Sequence, residues 1–126
     1  MELETLELTI ADGIATVMLN RPPHNAQNAQ MRGELIQVFD SFNDNDDVKC
    51  AIVTGKGKIF CAGADLNERP NLGATPGAYW KHNRLVREAS NSIIECSKPV
   101  IAAVNGPAMG AGFGLMNSCD IWVASN

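Results

Sequence analysis

At 126 residues, 45% of them hydrophobic, the chain has the length of one modest domain and enough apolar material for a single core. Its net charge is −4 and its 10 lysines and arginines are scattered rather than banked, which argues against nucleic acid as a partner. No apolar run approaches the roughly 18–20 residues that span a bilayer, and the acidic start MELETLELTI lacks the positive charge of a secretory leader, so no membrane partner and a soluble, cytoplasmic protein are expected.

In chain order, the first element is a hairpin. Apolar residues alternate through Leu6, Leu8 and Ile10, then through Ile14, Val17 and Leu19, and Asp12-Gly13 between them favours a tight turn. The prolines of RPPHN cannot continue a strand ladder. A helix is predicted from Asn28, with Asn28 as its cap and Met31, Leu35, Val38, Phe39 and Phe42 as its buried stripe. NDNDD ends it. VKCAIVTG is a nearly continuous apolar run and predicts a strand buried on both faces.

KGKIFCAGADL follows, and Pro70, Gly73, Pro76 and Gly77 predict an irregular stretch from Glu68 to Gly77. A second helix is predicted over Ala78 to Cys96, with Trp80, Val86, Ala89, Ile93 and Ile94 on its apolar face. Pro99 precedes another buried strand, VIAAV, then the uncharged GPAMGAGFGLMNSC with a short helix inside it, then a last strand, DIWVAS. Strands alternating with helices predict an α/β protein with a parallel sheet. The last strand has no covering element after it, so its cover must come from another chain or from further residues. The four cysteines, at 50, 61, 96 and 119, have no metal-ligand spacing, and buried reduced thiols are expected.

The glycine loops carry the chemical interest. Gly110, Gly112 and Gly114 form G-x-G-x-G, late in the chain, which is the wrong spacing for a dinucleotide fingerprint. No Gly-Lys-Ser/Thr occurs, so a P-loop is excluded, and no apolar 20-mer surrounds the G-x-x-x-G. Close packing of a short helix on a sheet is one reading. The other comes from two loops of similar composition, FCAGAD and NGPAMGAG, each following a buried strand. Side by side, they could aim two backbone N–H donors at one oxygen, each typically worth about 2.7–4 kcal/mol of transition-state stabilisation. A helix starting near Gly110 would add its positive end there.

RPPHNA, VTGKGKIFCAGADL, KPVIAAVNGPAMGAG and CDIWVAS occur in an order that resembles the crotonase superfamily, the enoyl-CoA hydratase/isomerase fold. The resemblance runs from about Leu6 to Ser125. It implies that residues 1–126 are either the N-terminal part of a ββα spiral of about twice this length, forming an incomplete acyl-CoA-binding core, or a naturally short paralogue. It also implies a homo-oligomer, a trimer or dimer of trimers, and coenzyme A only as part of the substrate thioester, with no separate cofactor.

By resemblance, the N–H groups of Ala64 and Ala111 stabilise a thioester enolate. Ala62, Asp65 and Leu66 fall on the adenine and pantetheine path, Pro23 and His24 on the stretch that touches CoA, and Gly110 and Gly114 on the substrate-binding glycine motif. Lys58 matches a position where some members meet CoA phosphates, with a solvated loop lysine as the alternative. Asp65 is a candidate carboxylate or, more simply, a helix N-cap. Asp120 is expected to make a structural hydrogen bond.

Two departures bear on the reaction. Hydratases of the family carry a glutamate where this chain has Gly114, and their second glutamate lies beyond the equivalent of CDIWVAS. The resemblance therefore implies an acyl-CoA-processing parent that is not a plain hydratase, and a 126-residue chain inactive by itself. An isomerase or thioester hydrolase with its carboxylate in a later half is one alternative. A non-catalytic CoA-thioester-binding or assembly module is another, and an unrelated phosphate-binding α/β domain is a third.

Overall fold

The structure, a computed structural model, describes residues 1–68 and 73–126. Strands β1 (Leu6–Ala11) and β2 (Ile14–Leu19) form the expected antiparallel hairpin, with Leu6 opposite Leu19. Asp12 and Gly13 have φ of 56° and 82°, the positive pair that a right-twisted two-residue hairpin turn requires. Helix α1 (Ala29–Phe42) starts where Asn28 accepts a 2.8 Å hydrogen bond from the Met31 N–H. Its five predicted stripe residues are all buried.

Strand β3 (Cys50–Gly55) runs parallel to β2. A 3-10 turn at Leu66–Glu68 precedes helix α2 (Pro76–Ile94), which leads to β4 (Val100–Val104). Helix α3 (Ala111–Ser118) and β5 (Ile121–Ala124) complete the order. The sheet runs β1-β2-β3-β4-β5, with every pair after the hairpin parallel. The α/β architecture with a parallel sheet is therefore as expected. Asp120 makes its structural bond, its carboxylate accepting from the Val100 N–H at 2.8 Å.

Several expectations need correction. Strands β3 and β4 are fully buried on one face only, through Ala51, Val53, Val100, Ala102 and Val104. Those residues join the α1 stripe in one core, while Ile52, Thr54, Ile101 and Ala103 on the other face stay partly open because no element among the described residues packs there. Helix α2 begins at Pro76, not Ala78. Thr75 caps it through the Ala78 N–H at 3.0 Å, and a proline in the first turn forfeits no intrahelical bond. Glu68 belongs to the 3-10 turn, and residues 69–72, including Pro70, lie outside the described residues.

On α2, Ala89 and Ile93 are buried but Trp80 and Ile94 are exposed, so the predicted stripe is narrower than drawn. All four cysteines are free thiols, yet only Cys61 and Cys119 are buried and Cys50 and Cys96 are half-buried. All four residues of β5 are exposed, in line with the expected lack of cover. No helix among the described residues is long and apolar enough to cross a membrane.

Candidate active site

Three loops leave the C-terminal ends of the parallel strands β2, β3 and β4, the end of an α/β sheet where ligands usually lie. Two asparagine side chains, Asn25 buried and Asn105 half-buried, pin them together. The Asn25 amide donates to the carbonyls of Lys56 at 3.0 Å and Ile59 at 2.9 Å, and its oxygen accepts from the Arg21 N–H at 2.9 Å. Asn105 does the same one loop over, accepting from the Gly55 N–H and donating to the Gly57 carbonyl, both at 3.0 Å. Neither asparagine stood out in the sequence. The available signal for Asn25 was its place in a proline-rich turn, where its φ of 51° is one that asparagine tolerates.

The two glycine-bearing loops are joined along their backbones. The Pro107 carbonyl accepts from the N–H groups of Phe60 and Cys61 at 3.1 and 3.2 Å, and the Met109 N–H donates to Cys61 at 3.0 Å. Gly63, at φ 117°, lies against the start of α3, where a Cβ on it would sit 3.8 Å from the Ala111 nitrogen. At Gly112, a Cβ would run into the Cys61 carbonyl. The close-packing reading of these glycines therefore holds at Gly112.

Between the loops lies an open cleft of about 520 Å³. His24, Ala62, Ala64, Asp65, Leu66, Gly110 and Ala111 all line it, so seven of the ten predicted site residues meet on one surface. Pro23 lines a groove that adjoins it at His24, Ala26 and Asp65. The N–H groups of Ala64 and Ala111 donate to no acceptor among the described residues. The Ala111 group also stands at the N-terminus of α3, where Gly110 provides no side-chain cap.

Asp65 is occupied structurally. One carboxylate oxygen accepts from the Asn67 N–H at 2.9 Å and so caps the 3-10 turn, while the other pairs with Arg21 at 3.2 Å. The Asn67 N–H, with the Arg21 guanidinium assisting, holds the Asp65 carboxyl below the ordinary carboxylate range. The capping reading is the one its geometry supports. Lys58 is exposed and lines none of the described cavities, although its carbonyl packs against Gly106.

Gly114 lines a second, smaller chamber of about 120 Å³, bounded by residues of α1, α2 and α3 and sharing Ala111 with the cleft. A Cβ added to Gly114 would meet nothing within 4 Å. Among the described residues, no acidic side chain lines this chamber; its polar members are Gln27 and Ser90. Among the described residues, no group of three His, Cys, Asp or Glu side chains could hold a metal ion.

A sheet carrying two interlocked glycine loops, with a short helix rising from one of them, is the arrangement of the crotonase fold. The chain belongs to the enoyl-CoA hydratase/isomerase family, whose family model matches residues 9–126. It is 36% identical over 120 residues to 4-chlorobenzoyl coenzyme A dehalogenase-2 of an Arthrobacter species, covering 91% of this chain and 43% of that protein. It is 37% identical over 125 residues to 1,2-epoxyphenylacetyl-CoA isomerase of Escherichia coli K12, covering 92% and 45%. Among solved structures, an enoyl-CoA hydratase/carnithine racemase from Magnetospirillum magneticum superposes with a TM-score of 0.91 at 33% identity, over 98% of this chain and 47% of that one. The chain thus spans less than half the length of these relatives.

Proposed function

We propose that the cleft binds the thioester end of an acyl-CoA, and that the Ala64 and Ala111 N–H groups receive its carbonyl oxygen as negative charge develops there. The observation that carries this reading is the pair of backbone N–H groups without acceptors on one cleft, one of them at a helix N-terminus. The shared CoA thioester substrates in the names of the dehalogenase and isomerase relatives support it. Ala62 and Leu66, with His24 and Pro23 alongside, form the wall for the carrier arm, and Gly110 lets the acyl carbonyl approach without a side chain in the way.

The proton chemistry of this site is not a hydratase's. Gly114 has no group to give or take a proton, and the chamber it lines has no acid. On this reading, the carboxylate for water activation, isomerisation or hydrolysis comes from outside the chamber, since Asp65 on the cleft is held by Asn67 and Arg21. As the acyl-CoA-binding core of a cytoplasmic homo-oligomer, the chain supplies oxyanion stabilisation, and residues beyond it supply the acid–base group. A non-catalytic thioester-binding module is the second reading, favoured by the same acid-free chamber.

Calorimetry with a CoA thioester, free CoA, ATP and NAD tests the proposal. Binding of the thioester that free CoA competes away, and that ATP and NAD do not, is expected. Equal competition by ATP would place a phosphate site here instead. Thioester binding without turnover in the longer protein would favour the second reading.

A further inference from the structure

We infer that Gln27 is a positioning residue that locks the two proposed oxyanion donors to each other; the inference rests on the reading of Ala64 and Ala111 given above. Glutamine is seldom this buried, and at 6% exposure Gln27 needs partners for every polar atom it hides. Those partners are the two glycine loops. Its N–H donates to the Gly63 carbonyl at 2.7 Å and its carbonyl accepts from the Asp65 N–H at 2.8 Å. The two bonds grip the chain on either side of Ala64, which leaves the Ala64 N–H without a partner.

The side chain then crosses to the other loop. Its Nε2 donates to the Ala111 carbonyl at 3.1 Å and approaches the Cys61 sulfur at 3.8 Å. Among the described residues, no other side chain hydrogen-bonds to the backbone of residues 110–112. Helix α3 is only eight residues long and has no side-chain cap at Gly110, so little else of its own fixes its first turn. Gln27 is therefore a direct side-chain link between the strand of chain that carries one donor and the turn that carries the other. Two donors aimed at one oxygen are useful only if their separation is held to a fraction of an ångström, and this residue spans that separation.

A buried glutamine that merely satisfies its neighbours would affect stability alone, so the test reads the ligand's carbonyl. Isotope-edited infrared spectra of acetyl-CoA carrying 13C at the thioester carbonyl are recorded bound to the intact protein and to Gln27→Met, which keeps the volume but cannot donate. Wild type is expected to lower the carbonyl stretch of the bound thioester. Gln27→Met is expected to lose most of that lowering, while its affinity for free CoA stays within about twofold. Gln27→Glu, close in shape but unable to donate when ionised, should behave alike and decides the matter if the methionine variant does not fold. Full retention of the lowered stretch in either folded variant overturns the positioning role alone. No lowering in wild type overturns the oxyanion reading, and the inference with it.

Discussion

Gly112 lies so close to the Cys61 carbonyl that helix α3 rests directly on the loop after β3, with no room for a Cβ between them. Two positions along the same helix, Gly114 looks into open space. These glycines look alike in the sequence, and their physical demands are opposite.

Substitution separates them. Gly112→Ala must push the two loops apart, an overpacking that costs about 1–3 kcal/mol. Gly114→Ala adds a methyl group to an unobstructed helical position and removes backbone freedom from the unfolded chain, so it stabilises by about 0.5–1 kcal/mol. Urea denaturation midpoints should move in opposite directions. Equal shifts would show that the loops are not in the contact described.

Acid should loosen the N-terminus before the core. The Glu34 carboxylate, 2% exposed, accepts from the N–H groups of Glu4 and Thr5, both at 3.0 Å, and so ties the segment before β1 to α1. Burial pushes its pKa up, but the bonds from Thr5, Gln30 and Glu4 outweigh that and hold it below its ordinary 4.5. A depressed carboxyl stabilises the fold fully above the unfolded value and loses that contribution as pH falls through the folded one. Amide exchange at Glu4 and Thr5, corrected for intrinsic rate, should accelerate below about pH 4.5 in wild type and be already fast in Glu34→Gln at neutral pH. Unchanged protection in Glu34→Gln would remove the carboxylate from the account.

Thiol chemistry should count two and two. Burial, with Asp120 nearby, pushes the Cys119 thiol up to about 12, and burial also raises Cys61. At pH 8, brief alkylation of the native protein should label Cys50 and Cys96, which are half-buried, and spare Cys61 and Cys119 until denaturant is added. Mass spectrometry after digestion reads the pattern. Rapid native labelling of Cys61 would mean that the two glycine loops separate readily.

Much of this architecture was legible in the residue order. Asp12-Gly13 announced the hairpin, the α1 stripe from Met31 to Phe42 announced its buried face, and Asn28 announced its cap. The strands after β2 were found by their apolar runs, but such runs cannot say whether one face or two is covered. That depends on what packs against Ile52 and Ile101 from outside these elements. Pro76 misled because proline breaks a helix interior and yet suits its first turn. The cleft residues were located through resemblance to a family rather than by periodicity. Asn25, Asn105 and Gln27 were missed because a polar residue in a loop shows its partners only once distant loops are brought together. Gln27 and Ala111 stand 84 positions apart.

In the proposed site the Ala111 N–H receives a developing oxyanion, and removing that one donor tests it most directly. Ala111 is the first residue of α3, a position that accepts proline, and Gly110 before it has φ 54° and ψ −120°, the mirror image of the extended backbone that precedes proline. Ala111→Pro therefore deletes one N–H with little disturbance to the fold. The measurement is calorimetric affinity for a CoA-linked enolate analogue against affinity for free CoA, in wild type and in this variant. A charge-assisted hydrogen bond is worth about 1.5–3 kcal/mol, so the preference for the analogue should fall about 10- to 100-fold while free CoA binding holds. A folded Ala111→Pro protein that keeps the full preference would contradict the account.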